Sequence, residues 1–102
     1  MSCMTVDRTE FENAPEWALM YNPEHLKLVL SVFKDNVDTA YTPEEITDII
    51  SQEDNYTDEW NTPYLMIDLK YDDLLKKQGG YYIADGELRH NPEEVIDHIP
   101  DN

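Results

Sequence analysis

The side chains of this chain that could do chemistry are three histidines, one cysteine and a large excess of carboxylates, and they fall into no catalytic spacing. His25, His90 and His98 share no metal-ligand interval, and no Ser or Cys nucleophile sits near a base. No glycine loop is built to cradle a phosphate. Asp54, Asp58 and Glu59 would attract a cation, but their spacing matches no calcium loop and the turn glycine is missing. They read as a solvated acidic loop pinned by Trp60 and Tyr56. The expectation is therefore a protein with no catalytic residue, no metal site and no cofactor. What remains is charge. Twenty-three Asp and Glu against seven Lys and Arg give −16 at pH 7, a surface that repels nucleic acid and anionic membranes at moderate salt. The exception is residues 62–90, where five acids meet four bases, Lys70, Lys76, Lys77 and Arg89, so nearly all of the negative charge lies elsewhere. The three lysines also suit the C-terminal half of a helix dipole, which is the plainer reason for their place.

The elements that would position these bases are marked by proline. Asn22-Pro23, Thr42-Pro43, Thr62-Pro63 and Asn91-Pro92 each put a capping side chain before a residue whose missing N–H costs nothing at a helix start. Glu45 and Glu94 follow three residues after Thr42 and Asn91, as in a capping box. Four helices follow. The first, 23–34, places Leu26, Val29, Leu30 and Phe33 at helical spacing, with Leu28 and Val32 widening the stripe. Residues 37–41 alternate as a short strand. The second helix, 43–51, carries Ile46, Ile49 and Ile50 on one side and Glu44, Glu45 and Asp48 on the other. The third, 63–78, turns Tyr64, Ile67, Tyr71, Leu74 and Leu75 toward the core, leaving Leu65 and Leu69 on a second side and Met66, Lys70, Asp73 and Lys77 on a third. After Gly79-Gly80, Asp85-Gly86 predicts a two-residue hairpin turn joining Tyr81–Ala84 to Glu87–His90, with Tyr82 and Arg89 exposed. A last helix from Pro92 presents Val95, Ile96 and Ile99.

With 102 residues, 40% of them hydrophobic, the chain is long enough for one core. Residues 1–21 read as an N-terminal arm with Trp17, Met20 and Tyr21 along one side of a short helix, and 22–99 as the domain. The single cysteine, Cys3, excludes an intramolecular disulfide. No apolar run has the length of a membrane span, and the N-terminus lacks a signal-peptide layout, so a cytoplasmic setting is expected.

The order helix, short strand, helix, helix, hairpin resembles a winged helix-turn-helix domain. The resemblance rests on Leu26 to Phe33, Val37 to Tyr41, Ile46 to Ile50, Tyr64 to Leu75 and the hairpin Tyr-Tyr-Ile-Ala-Asp-Gly-Glu-Leu-Arg. It implies an α+β fold, mainly helical, with a small antiparallel hairpin paired to the short strand. It also implies that the third helix enters the major groove of double-stranded DNA while the wing touches the backbone. Carried over by position, the DNA-binding residues are Met66, Lys70, Asp73 and Lys77 on the helix and Tyr82 and Arg89 on the wing. The chain departs from the family in the long 52–61 connection and in Asp73, which stands where a phosphate contact is expected.

Two settings explain the acidity. Molar salt shortens the Debye length to about 3 Å and quiets repulsion between carboxylates, and acid-rich, lysine-poor chains of this kind resemble proteins of salt-accumulating haloarchaea. Alternatively the acids are themselves the binding surface. The first setting fits a homodimeric DNA-binding transcriptional regulator from a halophilic archaeon or its virus or plasmid. Its dimer would form through the N-terminal arm, the last helix or the Leu65/Leu69 side. The second fits an acidic protein-interaction module or DNA mimic whose Glu44 to Glu59 stretch holds a basic partner.

Overall fold

The structure, a computed structural model, describes residues 7–99 apart from the side chain of Glu10. Cys3 and Pro100 lie outside the described residues. The architecture is α+β and mainly helical with one two-stranded antiparallel hairpin. Its elements are α1 (Arg8–Asn13), α2 (Glu16–Met20), α3 (Pro23–Asp35), α4 (Pro43–Ile50), α5 (Thr62–Tyr71), β1 (Leu75–Gln78), β2 (Tyr81–Ala84), α6 (Gly86–His90) and α7 (Pro92–Asp97). Among the described residues no helix is long and apolar enough to cross a membrane.

The core is assembled around α3. Leu26, Val29, Leu30 and Phe33 are fully buried, and α3 packs against α2, α4, α6, α7 and β2. Each such side chain contributes about 1.5–3 kcal/mol when removed from water, so this one helix supplies a large part of the folding drive. Ile46 and Ile50 of α4, Leu88 of α6, Val95 of α7 and Ile99 close the same cluster, to which Trp17 and Ala18 of α2 also belong. The N-terminal segment thus packs onto the core through Trp17, while Met20 and Phe11 stay exposed.

Three of the four expected starts carry a side-chain cap. Asn22 accepts the Glu24 N–H at 2.8 Å, and Thr42 forms a full capping box, accepting from the Glu45 N–H while Glu45 accepts from the Thr42 N–H. At α5 the cap is Asn61, which accepts the Tyr64 N–H at 3.2 Å. Thr62 has been drawn inside the helix because its hydroxyl is committed to buried His25. At α7 no cap bond forms: the Asn91 amide reaches back to Glu87 instead.

The third helix ends earlier than its sequence pattern predicts, and the hairpin shifts with it. α5 stops at Tyr71, Asp72 caps it, and Asp73 takes the left-handed conformation at φ 63°. The Leu74 N–H bonds to the Leu69 carbonyl and the Asp73 N–H to the Lys70 carbonyl, the two bonds of a Schellman motif with Asp in the usual glycine place. Leu75–Gln78 then leaves the helix and pairs with Tyr81–Ala84, with Leu75 opposite Ala84 and Lys77 opposite Tyr82. Gly79-Gly80 is therefore the two-residue turn, with Gly79 at φ 63°. Asp85-Gly86 opens α6 instead, and its backbone is tied to the Schellman turn by the Asp85 N–H to Leu74 carbonyl bond. The expected strand over 37–41 is reduced to Tyr41, which makes a single antiparallel bridge to Tyr82 through two 2.8 Å bonds. Residues 36–38 turn instead.

α5 also faces the other way from its expected orientation. Leu65, Met66 and Leu69 are buried, whereas Tyr64 and Tyr71 stand in solvent. Both arcs are apolar, so periodicity alone does not choose between them. Packing puts the aliphatic set inside and leaves the tyrosines, which carry a polar tip, at the surface. The Leu65/Leu69 side is accordingly core and not a dimer surface.

Candidate nucleic-acid interface

The surface that stands apart chemically is formed by the outward arc of α5 and the hairpin. The ten residues from Leu75 to Ala84 contain two lysines and no acid, on a molecule of −16. On α5 Pro63, Tyr64 and Tyr71 are exposed, the two tyrosines 64% and 73%, while Ile67 and Lys70 are half-buried at the edge of the same surface. The acid of that helix, Asp68, accepts a hydrogen bond from the Tyr21 hydroxyl and is half-buried. That bond, after burial itself, pushes the Tyr21 hydroxyl up to about 12.

Two lysine–tyrosine pairs meet where α5 gives way to the hairpin. Lys70 Nζ lies 4.8 Å from the centre of the Tyr71 ring, and Lys77 Nζ lies 5.9 Å from that of Tyr82. Burial, and then Tyr71 beside it, raises the Tyr82 hydroxyl above its ordinary value. The strand register explains the sidedness. Leu75, Lys77, Tyr82 and Ala84 share the face turned to the core, and Lys77 extends past Tyr82 at its rim, while Lys76, Gln78, Tyr81 and Ile83 share the outer face. Lys70, Lys76 and Lys77 make no ion pair among the described residues.

The start of α5 is set by a buried histidine. His25 Nε2 lies 3.1 Å from the Thr62 hydroxyl, the ring stacks on Trp60 at 4.7 Å and 13°, and Tyr21 meets it edge-on. Tyr56 in turn meets Trp60 edge-on, so the acidic 52–61 connection is pinned by its two aromatics. Burial lowers His25 to about 4, which keeps the imidazole neutral and the α3–α5 junction free of an unpaired charge.

The expected DNA-binding residues divide accordingly. Lys70 and Lys77 come together at the lysine–tyrosine junction. Met66 is fully buried and Tyr82 is 3% exposed, so neither offers a contact surface. Asp73 holds the Schellman turn, and Arg89 stands exposed on α6, because residues 86–90 form a helix in place of a second wing strand. Tyr64, Ile67 and Tyr71, which the sequence pattern turns toward the core, lie instead on this surface, and Lys76 passes from the expected helix to the hairpin. The signal for them was the symmetry of four residues on either side of Gly79-Gly80, which moves the hairpin back and shortens the helix. On the flank, Glu44, Glu45 and Asp48 line an open concavity with Pro63 at the α5 start. Comparison of the chain with protein-family models, curated proteins and solved structures finds no match in any of the three.

Proposed function

We propose that this protein is a winged-helix DNA-binding module, in which α5 is the recognition helix and β1–β2 the wing. The observation that carries the reading is the acid-free, doubly cationic hairpin beside Lys70 on an otherwise strongly negative chain. A surface under general pressure toward acidity keeps lysines where they meet something anionic. The order α3, Tyr41 bridge, α4, α5, hairpin supports it, since the bridge ties the hairpin to the segment before α4 as a wing requires. The contacts are revised to Tyr64, Ile67, Lys70 and Tyr71 on the helix and Lys76 and Lys77 on the wing. The remaining acidity suits concentrated salt, as in a haloarchaeal cytoplasm, where screening limits its repulsion of DNA.

The test is fluorescence anisotropy of a labelled mixed-sequence DNA in molar potassium chloride, with circular dichroism confirming the fold. Wild-type protein binds, and the folded Lys76→Glu/Lys77→Glu variant loses binding. Equal binding by both would remove the wing from the account, and no binding by folded wild type would overturn the reading.

A second reading is favoured by the flank of α5, where DNA would meet Glu44, Glu45 and Asp48. On that reading the chain is an acidic module for a basic protein partner. Glu44→Lys/Asp48→Lys, which spares the Glu45 capping box, separates the two: it strengthens DNA binding on the first and releases the partner on the second.

A further inference from the structure

The residues of α5 that face solvent carry few of the groups that read base edges in a closed duplex. Sequence in the major groove is read mainly by bidentate hydrogen bonds, Arg or Lys on guanine and Asn or Gln on adenine. Of these the α5 surface offers Lys70 alone, half-buried and held over the Tyr71 ring, beside exposed Tyr64 and Tyr71 and half-buried Ile67. Asn61, at the helix start, is occupied as the α5 cap, and the other amide nearby in sequence, Gln78, lies on the outer face of the hairpin. Tyrosine offers a base its ring face, and a duplex hides base faces inside its stack. An open strand exposes them, and stacking on aromatic side chains beside a cationic track is how single strands are held.

Charge points the same way. Three lysines set against −16 give little ionic affinity, and counterion release removes most of that in molar salt. Ring stacking does not depend on counterions, so it is the term that survives in the setting the composition suits. The geometry is also permissive. Tyr64 and Tyr71 lie two helical turns apart, about 10.5 Å along the axis, against about 3.4 Å between stacked bases in a duplex strand. They therefore fit two bases of a splayed strand and not neighbours in a stack. With 73% of Tyr71 exposed, the side of its ring away from Lys70 is open to a base.

We infer that the α5–hairpin surface binds single-stranded or locally opened DNA, with bases stacked on Tyr64 and Tyr71 and the phosphate backbone along Lys70 and Lys77. This rests on the DNA-binding reading above and names the form of DNA that it takes. The experiment compares one fluorescein-labelled mixed-sequence 20-mer, single-stranded and annealed, by anisotropy from about 0.3 to about 2 M potassium chloride, over which the Debye length falls from roughly 6 Å to roughly 2 Å. The single strand binds at least about 10-fold tighter than the duplex, with a salt slope of about −1.4, since each of two neutralised phosphates contributes about −0.7. Tyr64→Ala and Tyr71→Ala each weaken single-strand binding about 5- to 150-fold, the range expected for one lost base stack. Tyr71→Phe keeps the ring and retains affinity. Both tyrosines are exposed, so the truncations leave the core intact, which circular dichroism checks.

Duplex binding equal to or tighter than single-strand binding, or tyrosine truncations without effect, overturns this inference and leaves the DNA-binding reading standing. Failure of folded protein to bind either form overturns both. Truncations that convert a dimer to a monomer in light scattering while leaving DNA affinity unchanged identify the tyrosine face as a contact between copies and overturn the inference as well.

Discussion

Asp73 sits at the glycine position of a Schellman turn, and replacing it by glycine is predicted to stabilise the protein. At φ 63° an L side chain crowds its own carbonyl, which costs about 1–2 kcal/mol for an ordinary residue and somewhat less for Asp. Glycine removes that cost but adds freedom to the unfolded chain, which returns about 0.5–1 kcal/mol. A second gain comes from charge. Asp72 is held above the usual carboxylate range first by burial and then by Glu16, Asp68 and Asp73, so deleting the Asp73 carboxylate relaxes a crowded acidic corner. The net expectation for Asp73→Gly is a gain of about 0.5–1 kcal/mol, or about 3–6 °C in Tm for a domain of this size. Urea unfolding followed by circular dichroism at several salt concentrations measures it. The gain should shrink at molar salt to the conformational part, and Asp73→Asn, which removes the charge and keeps the side chain, should gain least there. A loss of stability in Asp73→Gly under all conditions would refute the left-handed turn and with it the placement of the hairpin.

The remaining predictions address the elements around that turn. Gly86→Ala destabilises by more than about 1 kcal/mol in urea unfolding, since Gly86 has φ 50° and an added Cβ would come 2.5 Å from the Asp73 carbonyl oxygen. Thr42→Ala costs about 1 kcal/mol through loss of the capping box, whereas Asn91→Ala costs markedly less because Asn91 does not cap α7; equal losses would contradict the assignment. His25 is predicted to make stability fall on acidification. Its folded value, about 4, lies below the ordinary 6.5, so the unfolded chain binds the extra proton and stability is lost as pH drops from about 6.5 to about 4. The loss amounts to at most about 3 kcal/mol, read as the difference between the pH–stability profiles of wild type and His25→Gln.

Sequence pattern was sufficient where an element had one apolar face and failed where it had two. In α3 and α4 Leu26, Val29, Leu30, Phe33, Ile46 and Ile50 are buried as the spacing predicts, but Ile49, expected on the same side as Ile46 and Ile50, lies at the edge of the arc and is 42% exposed. In α5, Tyr64, Ile67 and Tyr71 compete with Leu65, Met66 and Leu69. Only the neighbouring helices decide which set is buried, so the exposed tyrosines were not legible. The hairpin failed for a related reason. Gly79-Gly80 and Asp85-Gly86 both satisfy turn chemistry, and Leu74 and Leu75 extend the helical pattern smoothly. The Tyr41 bridge to Tyr82 and the burial of Leu75 and Ala84 choose the first turn, and these are contacts between distant parts of the chain. That shift moved Lys76 and Lys77 from a helix to a hairpin strand and withdrew Tyr82 into the core. The charge asymmetry that marked residues 62–90 survived, because it depends on composition and not on register.

The most direct test of the proposed binding face is a nitrogen-15 NMR titration of the folded protein with DNA in molar potassium chloride. Shift changes confined to the outward positions of α5 and to the hairpin, with Tyr64, Tyr71, Lys76 and Lys77 among the largest, are the predicted result. Changes centred on the acidic 44–59 stretch, or no change with saturating DNA, would contradict it.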